Sequence, residues 1–349
     1  MPKNKSQSKK LKKINKNPFK VIKKNITSYL NRRPHRSFRN TRRRDYIRGL
    51  QLPGYLKFTK YVWHTIWVNR KIFFLLALTY AILTALIVGM ASQDTYSSIT
   101  DTMADTGGNL TGFWGGLGKA GLIFISTATG GLNGSLSESQ QIFGGLIMLM
   151  TWLASIWLLR NILAGHKVKL RDGLYNSGSP ILPTFLVALL FMVQLLPVAL
   201  ALIGYGAASV TGLLDGGVEA MLFWFAAGLL TMISLYFITS TVFALIIITL
   251  PGMYPFKAIK IAGDLVIGRR IRILLRFLWV LILTALVWAI IMIPMILFDG
   301  WIKSLWPAIN WLPMIPLFLL GLGALTVIWV SSYVYLLYRK VVSDESSPA

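Results

Sequence analysis

The chain has 349 residues, of which 55% are hydrophobic and only 14% charged, and its mean hydropathy is +0.61. Soluble domains carry roughly 25% charged residues, so a polytopic membrane protein is the expected class. Cysteine is absent, which excludes disulfides, thiolate metal sites and cysteine nucleophiles. The three histidines, His35, His64 and His166, are scattered and lack metal-ligand spacing, so neither a metal nor a cofactor is expected.

The net charge of +24 is unevenly placed. Met1 to Lys71 hold 22 of the 36 lysines and arginines but a single acid, Asp45, which leaves 14 basic against 11 acidic residues in the remainder. Residues 1–49 alternate basic runs with Asn, Ser and Pro and have too few apolar residues for a core, so they read as a disordered cytosolic tail. No apolar secretory segment is expected at the start. Anchoring topology, with contact to anionic lipid, is the simplest role for this tail. Contact with nucleic acid or a ribosome is the more demanding alternative, since basic charge alone does not specify it.

Leu52-Pro53-Gly54 opens an amphipathic stretch in which Tyr55, Phe58, Val62, Ile66 and Trp67 share a broad face while Lys57 and Lys60 lie off it. Trp63 and Trp67 suit a membrane interface, and His64 is expected to be exposed there. Six apolar segments follow: 72–90, 142–159, 181–207, 221–250, 273–298 and 311–337. Each is long enough to cross a hydrocarbon core of about 30 Å as a helix. The fourth would be about 45 Å long, which predicts tilting, a break or extension past the interface. The expected fold is therefore all-α: a polytopic transmembrane bundle of about six spans over residues 50–340, with amphipathic interfacial helices and a short tail at 341–349.

The loops give an orientation. Lys167, Lys169, Arg171, Lys257, Lys260, Arg269, Arg270, Arg272, Arg339 and Lys340 all fall on the side of the basic N-terminus. The opposite loops hold Asp94, Asp101, Asp105, Glu138, Asp215, Glu219 and Asp299 against Lys119 and Lys303. The positive-inside rule then predicts six spans with both termini in the cytoplasm. Residues 113–125 are semi-apolar around Lys119, which fits an interfacial or re-entrant helix. A seventh span there would put every later loop on the wrong side. Asn109 and Asn133 begin glycosylation-type tripeptides, a pattern too common to assign a role.

Leu250-Pro251-Gly252 opens a second amphipathic stretch, with Phe256, Ile259, Ala262 and Val266 at helical spacing, Lys257 and Lys260 off that face, and Gly268 as its stop. Arg269, Arg272 and Arg276 then follow at spacings of three and four, on one helix face. With Lys257, Lys260 and Arg270 they form the candidate contact for an anionic headgroup or an acidic partner protein. Lys57, Lys60 and Arg70 match Lys257, Lys260 and Arg270 at an offset of 200, and a basic loop, 166–183, precedes the third span in the same way. This predicts three units, each an amphipathic lead-in followed by a helix pair; convergent interface chemistry explains the likeness equally well.

Inside the membrane the sequence offers Gln194, Thr231 and Ser234 as a candidate polar site. Interhelical hydrogen bonding is the simpler use for Gln194, and bonding back to the carbonyls of their own helix for Thr231 and Ser234. Phosphate-binding loops and paired carboxylates in an apolar setting are absent from the sequence, so an enzyme is not expected.

The residues Pro255, Ala258, Gly268 and Arg269 carry a P-x-x-A helix and a Gly-Arg hinge before a span. In this the chain resembles bacterial six-span membrane domains of the type fused to glycerophosphodiester phosphodiesterases, and the loop 158–190 looks like that of related uncharacterised membrane proteins. The likeness covers residues 50–340 through motifs of low specificity. The phosphodiesterase domain itself has no counterpart, so its activity is not implied; the resemblance implies an envelope protein. The sequence thus predicts a non-enzymatic membrane protein that contacts anionic lipid or partner proteins through basic helices. A carrier or permease for a lipid-like or weakly polar solute, and an insertase or ribosome-linked factor, are the competing expectations.

Overall fold

The computed structural model describes residues 52–89, 137–306 and 312–346. The basic tail, the stretch 113–125 and both glycosylation-type tripeptides lie outside the described residues. Among the described residues all regular structure is helical. The elements are α1 (Tyr55–Val68), α2 (Arg70–Leu83, continued by a π-turn at Thr84–Val88), α3 (Glu138–Leu163), α4 (Leu170–Ser177) and α5 (Ile181–Val210). They continue with a 3-10 turn (Leu213–Asp215), α6 (Gly217–Ile247), α7 (Pro255–Val266), α8 (Arg270–Leu305) and α9 (Met314–Ser346).

Six of these helices, α2, α3, α5, α6, α8 and α9, are long and apolar enough to cross a membrane. They coincide with the six predicted segments, and the chain is a multi-pass helical membrane protein. The helices outrun the apolar runs because their ends are polar. Ser137 caps α3 through a reciprocal box with Gln140, and so starts the helix ahead of Ile142, the first apolar position expected. The sixth span continues to Ser346 with Val341 buried, so residues 341–346 extend that helix. The fourth, α6, is one unbroken helix of 31 residues. Its last turns, including Thr239, Phe243, Ile246 and Ile247, are buried among other helices, so it runs on beyond the lipid-facing part of the bundle.

The packing has a cyclic order. Each short helix, α1, α4 and α7, leads into a pair of spans: α2 and α3, α5 and α6, α8 and α9. The second lead-in, α4, packs on α3 and α2, the pair before it; the third, α7, packs on α6 and α5, again the pair before it. The first lead-in, α1, sits on the last pair: Phe58 meets Tyr333 of α9 edge-on at 4.9 Å, and the Trp279 indole of α8 donates to the Thr59 hydroxyl at 3.1 Å. The first span of each pair also touches the second span of the preceding pair, as α2 on α9, α5 on α3 and α8 on α6.

Register agrees with this order. Counted from the first residue of α2, α5 and α8, the fourth positions are Phe73, Thr184 and Ile273, and the seventh are Leu76, Val187 and Arg276. All six are buried. In α5, whose other described side chains are exposed or half-buried, Thr184 and Val187 are two of the three buried positions. Three equivalent units explain this better than convergence of loop chemistry, which would not fix burial inside the spans.

The lead-ins bury only part of the faces expected: Phe58 and Val62 in α1, and Ala262 and Val266 in α7, lie inward as the spacing predicts. In α1, Phe58, Val62 and Thr65 turn inward, whereas Leu56, Trp63 and Trp67 are exposed. In α7 the inward face is Ala258, Ala262, Leu265 and Val266, and Phe256 is 85% exposed. Small residues let the helix approach α6 closely; a phenylalanine on that side would hold it off. Gly268, at φ 76, makes the turn out of α7 that the sequence assigned to it.

The contact of α4 with α3 depends on Gly173. A Cβ built there would lie 2.9 Å from both Cγ and Cδ2 of Leu158, which is itself fully buried. Gly173→Val is expected to lift α4 from α3 and to lower stability by about 1–3 kcal/mol, read as the unfolding midpoint of the detergent-solubilised protein.

Candidate functional site

The basic loops gather at one end of the bundle, where α1, α4 and α7 ring the ends of α3, α6 and α9. Lysines and arginines divide there into two groups with different work. Lys57, Lys60, Lys167, Lys169, Arg171, Lys257 and Lys260 are exposed. Exposed aromatic rings lie on the same helices: Trp63 stacked on Trp67 at 5.6 Å, Tyr175 on α4, Phe256 on α7, and Tyr254 beside it. Arg70 stands over the Trp67 ring at 5.4 Å. A cationic side chain beside an amphipathic ring is the composition of a headgroup layer contact. His64 is exposed, as expected.

The arginines of the third unit are largely drawn inward. Arg269, Arg272 and Arg276 do share a face of α8, but it is the buried face. Arg269, Ile273, Arg276, Val280, Thr284 and Trp288 form one continuous inward stripe, and Arg272 beside it is half-buried. The sequence spacing identified the stripe correctly; which way it turned depended on α1 and α9 covering it. Arg269 donates to the Val341 carbonyl at 3.4 Å. Arg270 lies over the Tyr236 ring at 3.7 Å and donates to the Tyr236 carbonyl at 2.5 Å. Arg276 donates to the Pro53 carbonyl and lies over Tyr55 at 4.3 Å and Phe58 at 5.6 Å.

Arg160 does comparable work at another junction. From the last turn of α3 it donates to both the carbonyl and the hydroxyl of Thr249, just past the end of α6. A helix end leaves four carbonyls without intrahelical donors and carries partial negative charge, so a guanidinium there is doubly favoured. In the sequence Arg160 simply follows the second apolar segment, 142–159. Its partner lies 89 residues away, and no local spacing announces it.

The intramembrane polar residues are brought together in part. Pro197 lies inside α5 and cannot donate to the Val193 carbonyl. One residue along, the Gln194 carbonyl receives the Ser234 hydroxyl of α6 at 2.5 Å. The Gln194 amide oxygen accepts from Thr241 at 2.7 Å. Thr231 instead donates to Ala227 of its own helix at 2.8 Å, apart from the pair. A neighbouring hydroxyl is a usual way to satisfy backbone groups disturbed by a proline in a span. Among the described residues, no group of three or more His, Asp or Glu side chains is placed to hold a metal ion.

Gln194→Leu leaves Thr241 its second acceptor, the Phe237 carbonyl at 3.2 Å. The substitution is therefore expected to retain the fold and to cost about 0.6–1.7 kcal/mol, measured by unfolding in mixed micelles.

Comparison with family models, with curated proteins and with solved structures finds no match to this chain.

Proposed function

We infer that this chain is a non-enzymatic envelope protein of the bacterial inner membrane whose basic end faces the cytoplasm and gathers anionic lipid headgroups. One observation carries the reading: all three lead-in helices combine exposed lysine or arginine with exposed aromatic rings, at the same end of the bundle. Lys57 and Lys60 accompany Trp63 and Trp67; Lys169 and Arg171 accompany Tyr175; Lys257 and Lys260 accompany Phe256. Electrostatic attraction to an anionic leaflet is worth about 1 kcal/mol per basic residue near the surface. The resemblance to phosphodiesterase-associated membrane domains, noted from Pro255, Ala258, Gly268 and Arg269, agrees with an envelope role. A carrier would draw on Gln194, Thr231 and Ser234, but their hydroxyls and the Gln194 oxygens are engaged in helix-to-helix or intrahelical bonds. An insertase or ribosome-linked role rests on residues 1–49, outside the described residues.

The absence of cysteine allows the orientation to be read from single introduced thiols. In intact cells, Ser139→Cys at the acidic end is expected to react with a membrane-impermeant maleimide, and Asn176→Cys at the basic end to react only after permeabilisation. The reverse pattern would overturn the cytoplasmic assignment. For the lipid reading, the full chain is reconstituted in mixed phosphatidylglycerol and phosphatidylcholine, and the composition of retained lipid is measured. Replacing Lys57, Lys60, Lys257 and Lys260 by Gln is expected to reduce phosphatidylglycerol enrichment roughly fivefold per lysine at low salt. Unchanged enrichment sinks the reading.

A further inference from the structure

The helix pair of the second unit carries one weak level through both of its members. α5 and α6 run antiparallel, and three contacts set their register. Gln194 bonds to Ser234, a Cβ built at Gly204 would lie 3.4 Å from the Phe223 ring, and Tyr205 meets Trp224 at 5.9 Å. Pro197 stands three residues beyond Gln194 in α5, and Thr231 three residues before Ser234 in α6, so the two lie level. Pro197 cannot donate to the Val193 carbonyl, and proline is a main cause of sharp kinks in helices. The Thr231 hydroxyl bonds back to the Ala227 carbonyl at 2.8 Å, and such back-bonding loosens and bends a helix.

Protein support ends at the same level. In α6 the buried side chains lie from Ser234 onward, and none from Gly217 to Ile233 is buried. The ties of α6 to the other units fall on that buried half: Tyr236 with Arg270, Phe243 with Phe277 and Tyr338, Thr249 with Arg160. In α5 beyond Pro197, Ala208 alone is buried among the described side chains. The other units keep buried contacts near the acidic end, through Val88 in the first and Met292, Ile315 and Leu319 in the third. A segment with few buried contacts opens at low free energy, and here that segment is the acidic-end half of the second unit.

We propose that the acidic-end halves of α5 and α6, joined by the turn at Leu213–Asp215, form one arm that swings about Pro197 and Thr231. The movement is toward and away from the third unit, whose α8 is the neighbour that α6 touches. The two helices of the arm move together, because Gly204 admits the Phe223 ring and Tyr205 packs on Trp224. Its base is fixed, because Gln194 accepts from both Ser234 and Thr241 on the basic side of the hinge. From Val198 to Val210 the arm is about 20 Å long, and a turn of about 20° carries its tip about 7 Å. Lipid on its flanks yields to such a movement, whereas close-packed side chains would resist it. The inference stands on residues apart from the lysine belt, and it gives Gln194, Thr231 and Ser234 a mechanical use.

The chain has no cysteine of its own, so spin labels go only where thiols are introduced. The full chain is labelled in pairs and placed in vesicles of phosphatidylcholine and phosphatidylglycerol, and distance distributions are measured by pulsed dipolar spectroscopy. Val218→Cys with Leu297→Cys reports the arm against α8. Leu200→Cys with Val218→Cys reports within the arm, and Leu281→Cys with Leu317→Cys within the third unit. Each of these positions is exposed. The Val218–Leu297 distribution is expected to be wider than both references by about 7 Å, the displacement of the tip. Pro197→Ala restores an amide donor and Thr231→Ala removes the back-bond, so each is expected to abolish most of that extra width. Where one variant does not fold, the other decides. A Val218–Leu297 distribution no wider than the references overturns the proposal, and so does extra width that neither variant reduces. A Leu200–Val218 distribution as wide as that of Val218–Leu297 overturns it too, because the two helices would then not move as one piece. The four-lysine variant should keep the swing, so this inference and the headgroup reading can each fail alone.

Discussion

The seat of α1 on α8 and α9 closes a ring of three helix units, and the rest of the architecture depends on that closure. Units two and three can each rest a lead-in helix on the pair that precedes them in the chain. Unit one has no such pair unless the last unit comes round to meet it. The Phe58–Tyr333 contact, the Trp279–Thr59 hydrogen bond and the Arg276–Pro53 bond make that junction. Without them the buried ends of α3, α6 and α9 would lose one of three covering helices, and the inward stripe of α8 would face lipid with two arginines on it.

Arginine serves this design because it reaches. At the basic end, span termini and loop backbones present carbonyls that no helix satisfies. Arg160 and Arg276 answer two of them across long sequence separations, and Arg269 reaches the Val341 carbonyl in the last turns of α9. Lysine, a point charge on a flexible stem, is left at the surface, at positions 57, 60, 257 and 260. At the buried junctions the choice is arginine, a planar fork with several fixed donors that can bond backbone, whereas the lysines, with Arg70 and Arg171, stay where water and headgroups are. The same basic composition therefore satisfies topology, structure and surface contact at once.

Legibility varied with the range of the information involved. Apolar runs located all six spans, since a helix across a membrane must present some twenty apolar residues in a row. The offset of 200 between Lys57, Lys60, Arg70 and their later counterparts signalled repetition, because it was local in each copy. The faces of α1 and α7 were legible only in part, through Phe58, Val62, Ala262 and Val266, for a physical reason: both sides of an interfacial helix are apolar, one meeting protein and the other headgroups and acyl chains. Phe256 shares a helical period with the buried Ala262 and Val266 yet is exposed, and Trp67 is exposed as its suitability for an interface implied. Gln194 and Ser234 were both legible as polar residues in spans, but their bond to one another, and the separate bonding of Thr231, required the pairing of α5 with α6.

The sequence by itself determined that this is a six-span helical membrane protein with its positive charge at one end, because hydropathy, length and loop charge act residue by residue along the chain. Only the tertiary structure decided which side of each lead-in helix faces protein, and that the three units close into a cycle. It also decided that Arg269 and Arg276 turn inward while the lysines remain outside. Those outcomes depend on which helices cover a given face, and covering is a property of residues distant in sequence: Pro53 for Arg276, Thr249 for Arg160, Tyr333 for Phe58.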